Sequence, residues 1–178
     1  MIETKRMKLR KATEDDVEAI QTWWNDGELM ESVGFPNGLG ITEENVRKQL
    51  NRENHVLMIA LDIENDTLIG EFSYGQIDPE DGTARIGLKI ANRDYQGKGY
   101  GKEGLKYLLG YLFEYYALDA VLVDTFVSND RARGLYEKFG AKVERIEGDY
   151  WTNPDGKSFD VVFYRITRES FEEALNQL

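Results

Sequence analysis

Residues 92–101 read NRDYQGKGYG, and this stretch decides the fold because glycines alternate there with larger residues just before a helical pattern. Glycine at 97, 99 and 101 gives up side-chain packing and costs chain entropy, so the spacing is typical of backbone that approaches a ligand closely. Apolar residues then recur at helical intervals, at 105, 108, 109, 112, 113 and 116. Unpaired N–H groups at the start of that helix, at the positive end of its dipole, predict a cradle for a phosphate.

Two other glycine-rich sites compete with the phosphate cradle. A Walker A loop is excluded, since the residue after Lys102 is Glu103, which offers no hydroxyl to magnesium. A G-x-G-x-x-G spacing begins at Gly99, with Asp124 further on, and matches the dinucleotide fingerprint, but polar residues separate it from the preceding strand pattern. The dinucleotide hypothesis and a purely structural glycine turn stay open at this point.

The composition excludes several chemistries. The chain has 178 residues, no cysteine and a single histidine, His55. Disulfides, cysteine-ligated metals and thiolate nucleophiles are therefore excluded, and no G-x-S-x-G elbow accompanies the histidine. We expect one domain over residues 1–178, no metal, and a structural role for His55.

The charge and hydropathy patterns bound the partners and the location. A formal net charge of −11 argues against nucleic acid, whose binding depends on Lys and Arg. No apolar run approaches the ~18 to 20 residues of a membrane span, and the first residues lack the apolar core of a signal peptide. We expect a cytoplasmic protein with no membrane partner. The acidity suits a cationic partner or solubility alone, and the oligomeric state, including a homodimer, stays open.

Turn signals divide the chain into alternating strand and helix patterns. KRMKLRKA (5–12) predicts a first strand, two helical segments follow, and GELMESVGFPNGLG (27–40) between them predicts a loop. HVLMIALDI, TLIGEFSYGQI and TARIGLKIA are joined by short turns and predict an antiparallel meander. A helix, a strand, a helix, two strands and a last helix complete the order. The prediction is an α/β (α+β) fold with a mixed, mostly antiparallel central sheet flanked by helices.

Two motifs resemble a known family. QGKGYG at 96–101 resembles the Q/R-x-x-G-x-G/A pyrophosphate loop of the GCN5-related N-acetyltransferase (GNAT) superfamily. SNDRARGLYEKFGA at 128–141 is similar to its N-x-x-A-x-x-x-Y-x-x-x-G-F segment, with Phe139 and Gly140 transposed. IANRDYQGKGYGKE, the early WWND and the late YW hairpin resemble the RimJ/RimL-type branch. The resemblance implies the GNAT acyl-CoA N-acyltransferase fold, in which two central strands splay apart to admit acetyl-CoA.

The resemblance implies acetyl-CoA as cosubstrate and names the residues that would hold it. The loop would wrap the pyrophosphate through backbone amides, the preceding strand would offer backbone groups to the pantetheine, and an asparagine would bind the CoA arm. The implied residues are Leu88, Ile90, Gln96, Gly97, Lys98, Gly99, Tyr100, Gly101, Lys102 and Asn129. The side chains of Leu88 and Ile90 alone indicate core, and Asn129 suits a helix cap equally well.

The resemblance also implies the catalytic groups. Tyr136 matches the tyrosine that serves the leaving thiol, since a phenol can protonate a thiolate or donate a hydrogen bond to it; a place on an apolar helix face is its alternative. The acid that relatives often carry in A-x-I-G is replaced by Arg85. This departure moves the general base to Glu71 in the neighbouring strand, with an ion pair to a basic neighbour as the alternative.

The implied function is transfer of an acetyl group to a primary amine by direct attack in a ternary complex. The RimJ/RimL-type branch acetylates protein N-termini, polyamines, antibiotics and small amines, so it names a chemistry and leaves the acceptor open. The acidic composition favours a cationic acceptor, either a small-molecule amine or a peptide N-terminus. A non-catalytic acyl-CoA-binding or regulatory module on the same fold is the alternative function.

Overall fold

An eight-stranded sheet forms the centre of the protein, and a computed structural model describes it together with every residue from 1 to 178. The strands lie in the order β1-β2-β3-β4-β5-β6-β8-β7, and only β5 and β6 are parallel neighbours. The strands are β1 (Ile2–Glu3), β2 (Met7–Lys11), β3 (His55–Asp62), β4 (Leu68–Asp78), β5 (Thr83–Ile90), β6 (Ala120–Phe126), β7 (Lys142–Thr152) and β8 (Ser158–Thr167). The predicted fold class, mixed and mostly antiparallel, is confirmed.

Six α-helices cover the two faces of the sheet. They are α1 (Val17–Trp24), α2 (Gly27–Met30), α3 (Glu43–Leu50), α4 (Tyr100–Tyr115), α5 (Asp130–Lys138) and α6 (Arg168–Leu175). Successive side chains of β3 point to opposite faces of the sheet and so contribute to two hydrophobic cores. Met58 and Ala60 join the core beneath α4, whereas the smaller core beneath α1 and α3 contains Leu57, Ile59 and Leu61. No helix of the structure is both long and apolar enough to cross a membrane.

Two segments differ from the sequence prediction. The stretch 5–12 belongs to a hairpin, because Ile2 pairs with Leu9 and adds the short strand β1 before β2. The predicted loop 27–40 contains α2 and a 3-10 turn over 31–33. Asp26 explains α2, since its side chain accepts hydrogen bonds from the backbone N–H groups of Glu28 and Leu29. A helix of one turn is too short to show a hydrophobic period.

The parallel pair β5 and β6 separates partway along its length. The two strands pair from Thr83 opposite Ala120 to Arg85 opposite Leu122, and residues 86–90 have no partner on that edge. Beyond this point β6 pairs only with β8, up to Phe126 opposite Val161. The separation opens a cleft in the middle of the sheet, as the resemblance implied.

Candidate active site

The larger cavity lies in this cleft, between the free edge of β5 and the beginnings of α4 and α5. Its volume is about 720 Å³, within the range of pockets that take organic ligands. All but one of the predicted cofactor-binding residues line it, namely Leu88, Ile90, Gln96, Gly97, Gly99, Tyr100, Gly101, Lys102 and Asn129. Lys98 does not line the cavity. Its ammonium instead donates to the backbone carbonyl of Asp94 at 2.7 Å.

The glycines of the loop have different roles. Gly97 and Gly99 have φ values of 70° and 85°, which strongly favour glycine, and the second is the N-cap of α4. A Cβ atom would have no neighbour within 4 Å at Gly97, and only an Arg6 nitrogen at 3.5 Å at Gly99. The space in front of these amides is therefore open, as a phosphate cradle requires.

Gly101 and Gly104 lie within α4 and face the sheet. A Cβ at Gly101 would make an ordinary contact of 3.4 Å with Leu88, so this position tolerates alanine. A Cβ at Gly104 would lie 2.2 Å from the ring of Phe72, so this glycine allows α4 to pack closely on β4. Gly104 is the last glycine of the G-x-G-x-x-G spacing that begins at Gly99. Its role is to let α4 pack on the sheet.

Side chains hold the loop from both ends. The amide of Gln96 donates to the Ile90 carbonyl at 2.9 Å, which fixes the loop to the end of β5. Arg6 donates to the Lys98 carbonyl and stacks over the Tyr100 ring at 3.9 Å. Burial raises the pKa of Glu103, but hydrogen bonds from Thr4 and Arg6 outweigh it and leave that pKa below its ordinary value. The β1–β2 hairpin is thereby tied to the first turn of α4.

The far wall of the cavity is the start of α5. Asn129 caps this helix, since its side-chain oxygen accepts from the Ala132 backbone N–H at 3.1 Å, and its amide nitrogen makes no hydrogen bond within the protein. The cap and the predicted contact to the CoA arm are therefore compatible. Tyr136 is buried about two turns further along α5 and lines the cavity.

The hydroxyl of Tyr136 makes no hydrogen bond within the protein. No side-chain polar atom of the structure is both buried and without a partner, so this hydroxyl is open to the cavity. Burial, with the nearby charge of Asp124 adding to it, raises the pKa of Tyr136 to about 12. The phenol stays protonated at every physiological pH.

A second cavity, of about 390 Å³, lies over the face of the sheet that α1 and α3 cover. Its walls are mostly apolar, and its floor is formed by β4 and β5, where Glu71, Ser73 and Lys89 supply the polar groups. The apolar wall residues that lie outside the sheet are Trp24, Met30, Val33, Leu39 and Ile41. Met30, Val33 and Leu39 lie in the segment 27–40 that was predicted as a loop, and no periodic signal marked them as pocket residues.

Glu71 lies on this floor with Trp24 above it. The indole N–H of Trp24 is 3.1 Å and 3.0 Å from the two carboxylate oxygens. Burial raises the pKa of Glu71 above its ordinary value, and the indole hydrogen bond and the charge of Lys89 oppose the shift. The alternative of an ion pair is not observed, because no basic group lies within 4.0 Å of the Glu71 carboxylate.

Arg85, which stands where relatives often have an acid, forms an ion pair across the cleft. Its guanidinium lies 3.3 Å from the Asp124 carboxylate on β6, at the point where β5 and β6 separate. Both side chains are partly exposed, so the pair contributes roughly 0 to 1 kcal/mol of stability.

The two cavities meet at Leu88 and Lys89, which line both of them. Sequence analysis missed Lys89 as a site residue. A signal was present, since Lys89 interrupts an apolar strand pattern, as Glu71 does in the neighbouring strand.

The C-terminal hairpin of β7 and β8 supports the wall of the second cavity. The Trp151 ring lies against Gly34, where a Cβ would be 2.2 Å from it, and its centroid is 5.2 Å from that of Phe35. The buried amide of Asn153 donates to the Gly34 carbonyl at 3.0 Å. These contacts fix the segment after α2, which carries Val33.

Comparisons with known proteins agree with this geometry. A family model described as "Acetyltransferase (GNAT) domain" matches residues 6–142. The Bacillus licheniformis protein named "uncharacterized N-acetyltransferase p20" is 23% identical over 173 residues, covering 94% of this chain and 96% of its own. A Bacillus subtilis spermine/spermidine N(1)-acetyltransferase is 34% identical over 87 residues, covering 46% of this chain and 57% of its own.

A solved structure shares the fold over nearly the whole chain. It is the spermidine N-acetyltransferase from Vibrio cholerae in complex with CoA and spermine, with a TM-score of 0.83 and 20% identity. The alignment covers 94% of this chain and 98% of that chain. No three His, Cys, Asp or Glu side chains in the structure come together as metal ligands would.

Proposed function

The chain belongs to the GNAT acetyltransferase family, and from that premise we propose that it transfers the acetyl group of acetyl-CoA to a primary amine by direct attack in a ternary complex. The observation that carries the proposal is the meeting of the two cavities at Leu88 and Lys89. A donor bound in one cavity and an acceptor bound in the other would meet at these two shared residues. The proposal takes residues 1–178 as one domain of this family.

The larger cavity is the proposed acetyl-CoA site. Gly97 and Gly99 leave open space in front of the loop amides, and α4 points the positive end of its dipole there. Lys102 adds positive charge at the mouth, and the unused amide nitrogen of Asn129 is available to the CoA arm. The free edge of β5 at Leu88 and Ile90 offers backbone groups to the pantetheine.

Glu71 is the proposed general base. A primary amine of pKa about 10 is mostly protonated at pH 7, so a group on the floor of the acceptor cavity must accept its proton. Burial raises the pKa of Glu71 toward the working pH, which suits a base. The single indole N–H of Trp24 is shared between both carboxylate oxygens. The carboxylate has further lone pairs that can accept hydrogen bonds from an ammonium.

Tyr136 is proposed to act on the leaving sulfur. As the amine nitrogen bonds to the acetyl carbon, the carbon–sulfur bond breaks and negative charge develops on sulfur. Full proton transfer from a phenol of pKa about 12 to a thiolate, whose conjugate thiol has a pKa of about 8.5, is uphill by about 5 kcal/mol. Tyr136 therefore stabilises the thiolate as a hydrogen-bond donor, and solvent supplies the proton after release.

The acceptor class is the finer part of the proposal. The RimJ/RimL-type motifs admit small amines and peptide N-termini, and two of the proteins named above are a spermine/spermidine acetyltransferase and a spermidine acetyltransferase. A net charge of −11 favours a cation in the bulk field, and its influence falls as salt screens it. The absence of nucleic-acid and membrane partners stays a prediction, and the oligomeric state, including a homodimer, stays open.

The test is a thiol-release assay with acetyl-CoA and a panel of polyamines, small amines and peptides. Release that depends on an amine supports the enzyme. Binding of acetyl-CoA by calorimetry, without release for any amine, supports the non-catalytic acyl-CoA-binding module instead. Exchange of the exposed Glu80 for Gln is the matched control for Glu71→Gln, since Glu80 lies in a turn away from both cavities.

A further inference from the structure

The floor of the acceptor cavity carries one negative and one positive side chain directly opposite each other. Glu71 on β4 pairs with Lys89 on β5 in the antiparallel ladder. Residues in this relation have Cβ atoms about 4.5–5.5 Å apart on the same face of the sheet. Both side chains line the cavity. A ligand on the floor meets both charges at once.

The two charges do not neutralise each other. No ion pair within 4.0 Å and no hydrogen bond joins Lys89 to Glu71 or to any other side chain, whereas Arg85 on the same strand is paired with Asp124. Glu71 accepts only from Trp24. Burial lowers the pKa of Lys89, and the charge of Glu71 opposes that shift. An anion beside Lys89 would hold it in its charged form.

The rest of the cavity is apolar. Trp24, Met30, Val33, Leu39 and Ile41 form the walls, and Gln49 and Ser73 are the remaining polar side chains. A polyamine needs carboxylates at intervals along its length, whereas this cavity offers a single carboxylate next to an ammonium. The lining therefore disfavours a second positive charge, whatever the field of the whole protein.

We infer that the acceptor is a small zwitterion, an α-amino acid with an apolar side chain, whose ammonium lies against Glu71 and whose carboxylate lies against Lys89. The inference rests on the proposed function and names its substrate class. An α-amino acid carries both charges on one carbon, which matches charges on directly opposite residues, and its side chain would contact the apolar wall. Lys89 is then a specificity residue at the junction of the two cavities, and it brings the α-nitrogen to the acetyl group.

The experiment measures kcat/KM by thiol release for L-leucine, L-leucinamide, isopentylamine and spermidine. These acceptors share an amine and differ in the carboxylate and in the number of charges. The variants are Lys89→Met, which keeps the side-chain length and removes the charge, and Lys89→Arg, which keeps the charge. Lys142→Met removes an exposed lysine at the start of β7 as a matched control.

We expect the wild type to prefer leucine over isopentylamine by at least about tenfold, since a site built for a polar group rejects an analogue that lacks it. Lys89→Met should lower the value for leucine at least about tenfold more than the value for isopentylamine, because loss of the Lys89 charge also raises the pKa of Glu71 and so lowers both values alike. Activity on isopentylamine also shows that the variant is folded. Because each amine is compared between two enzymes, the different basicities of the amines cancel. Lys89→Arg and Lys142→Met should retain the preference.

Three results would overturn the inference. Isopentylamine or spermidine as the best wild-type acceptor would show that no carboxylate is recognised. A preference for leucine that survives Lys89→Met, or an equal loss on all acceptors, would remove Lys89 from specificity. No thiol release with any amine, in a protein that binds acetyl-CoA, would overturn the proposed function as well. The first two results leave acetyl transfer intact.

Discussion

The two cavities differ in what they are made of. The larger one is built around a glycine loop, the free edge of β5 and the first turns of two helices, so its binding groups are largely main-chain atoms. The smaller one is lined by side chains from α1 to α3 and from the segment 33–41, over a floor with one carboxylate and one ammonium. A main-chain site keeps its specificity while surface side chains change, whereas a side-chain site changes its ligand with each substitution. The donor can therefore be identified from family motifs, whereas the acceptor can be identified only from the cavity side chains of this protein.

Glu71→Gln should give the largest effect, because it removes the base from the side-chain site. We expect kcat/KM at neutral pH to fall about a hundredfold. Since the wild-type base must be ionised, wild-type activity rises as the pH passes through the raised pKa of Glu71. The variant should recover partly at high pH, where the amine loses its own proton. Parallel pH profiles for the two enzymes would remove Glu71 from the mechanism.

Gly99→Val should break the main-chain site alone. A β-branched residue at φ 85° is strained and fills the space in front of the amides. We expect acetyl-CoA affinity to fall about thirtyfold, which corresponds to about 2 kcal/mol of strain and lost contact. Calorimetry on the folded variant measures the change, and Gly101→Ala, within about threefold of wild type, is the control. Unchanged affinity would place the phosphates elsewhere.

Tyr136→Phe tests the proposed hydrogen bond from the phenol to the leaving sulfur. The substitution keeps the buried ring and removes a hydroxyl that has no partner in the protein. We expect kcat to fall about tenfold and acetyl-CoA affinity to stay within about twofold, because the hydroxyl acts only when charge develops on sulfur. Steady-state kinetics and calorimetry separate the two quantities. Turnover equal to wild type would leave Tyr136 as a core residue.

Trp24→Phe should give the smallest effect and sharpen the account of Glu71. The ring is kept and the N–H to the carboxylate is lost. Because that hydrogen bond lowers the pKa of Glu71, its loss raises the pKa further. The acid limb of the kcat/KM profile should therefore move to higher pH, with about a threefold loss near neutrality. A shift to lower pH would show that the indole does not stabilise the ionised carboxylate.

Much of the fold could be predicted from the sequence because its signals are local. Periodicity identified α4, strand-like runs between turn signals identified β3 to β5, and Thr42 caps α3 by accepting from the Asn45 N–H. The short strand β1 that precedes the predicted first strand could not be predicted, since β1 is only two residues long and is stabilised by its pairing with β2. Likewise α2 depends on a single cap at Asp26 rather than on a repeating pattern.

The candidate site divides in the same way. The glycine loop is continuous in sequence, so its residues and their approximate roles could be predicted, except that Lys98 bonds within the loop. The acceptor cavity joins residues near 24–49 to residues near 71–89, and no local pattern shows that they meet. Arg85 illustrates the limit: its identity is visible in the sequence, but its partner Asp124 follows only from how two strands diverge.

The contact of Trp151 and Asn153 with Gly34 has a consequence for the order of assembly during synthesis. The lining of the donor cavity ends at Lys138, and its α5 wall rests on Tyr164 of β8, to which Arg133 donates a hydrogen bond at 3.0 Å. The acceptor wall beside Val33 waits for a hairpin whose contact closes a loop of more than a hundred residues, and such distant contacts form late. The contact that closes the acceptor wall is therefore expected to form late during synthesis and to be among the first to open when the native protein fluctuates.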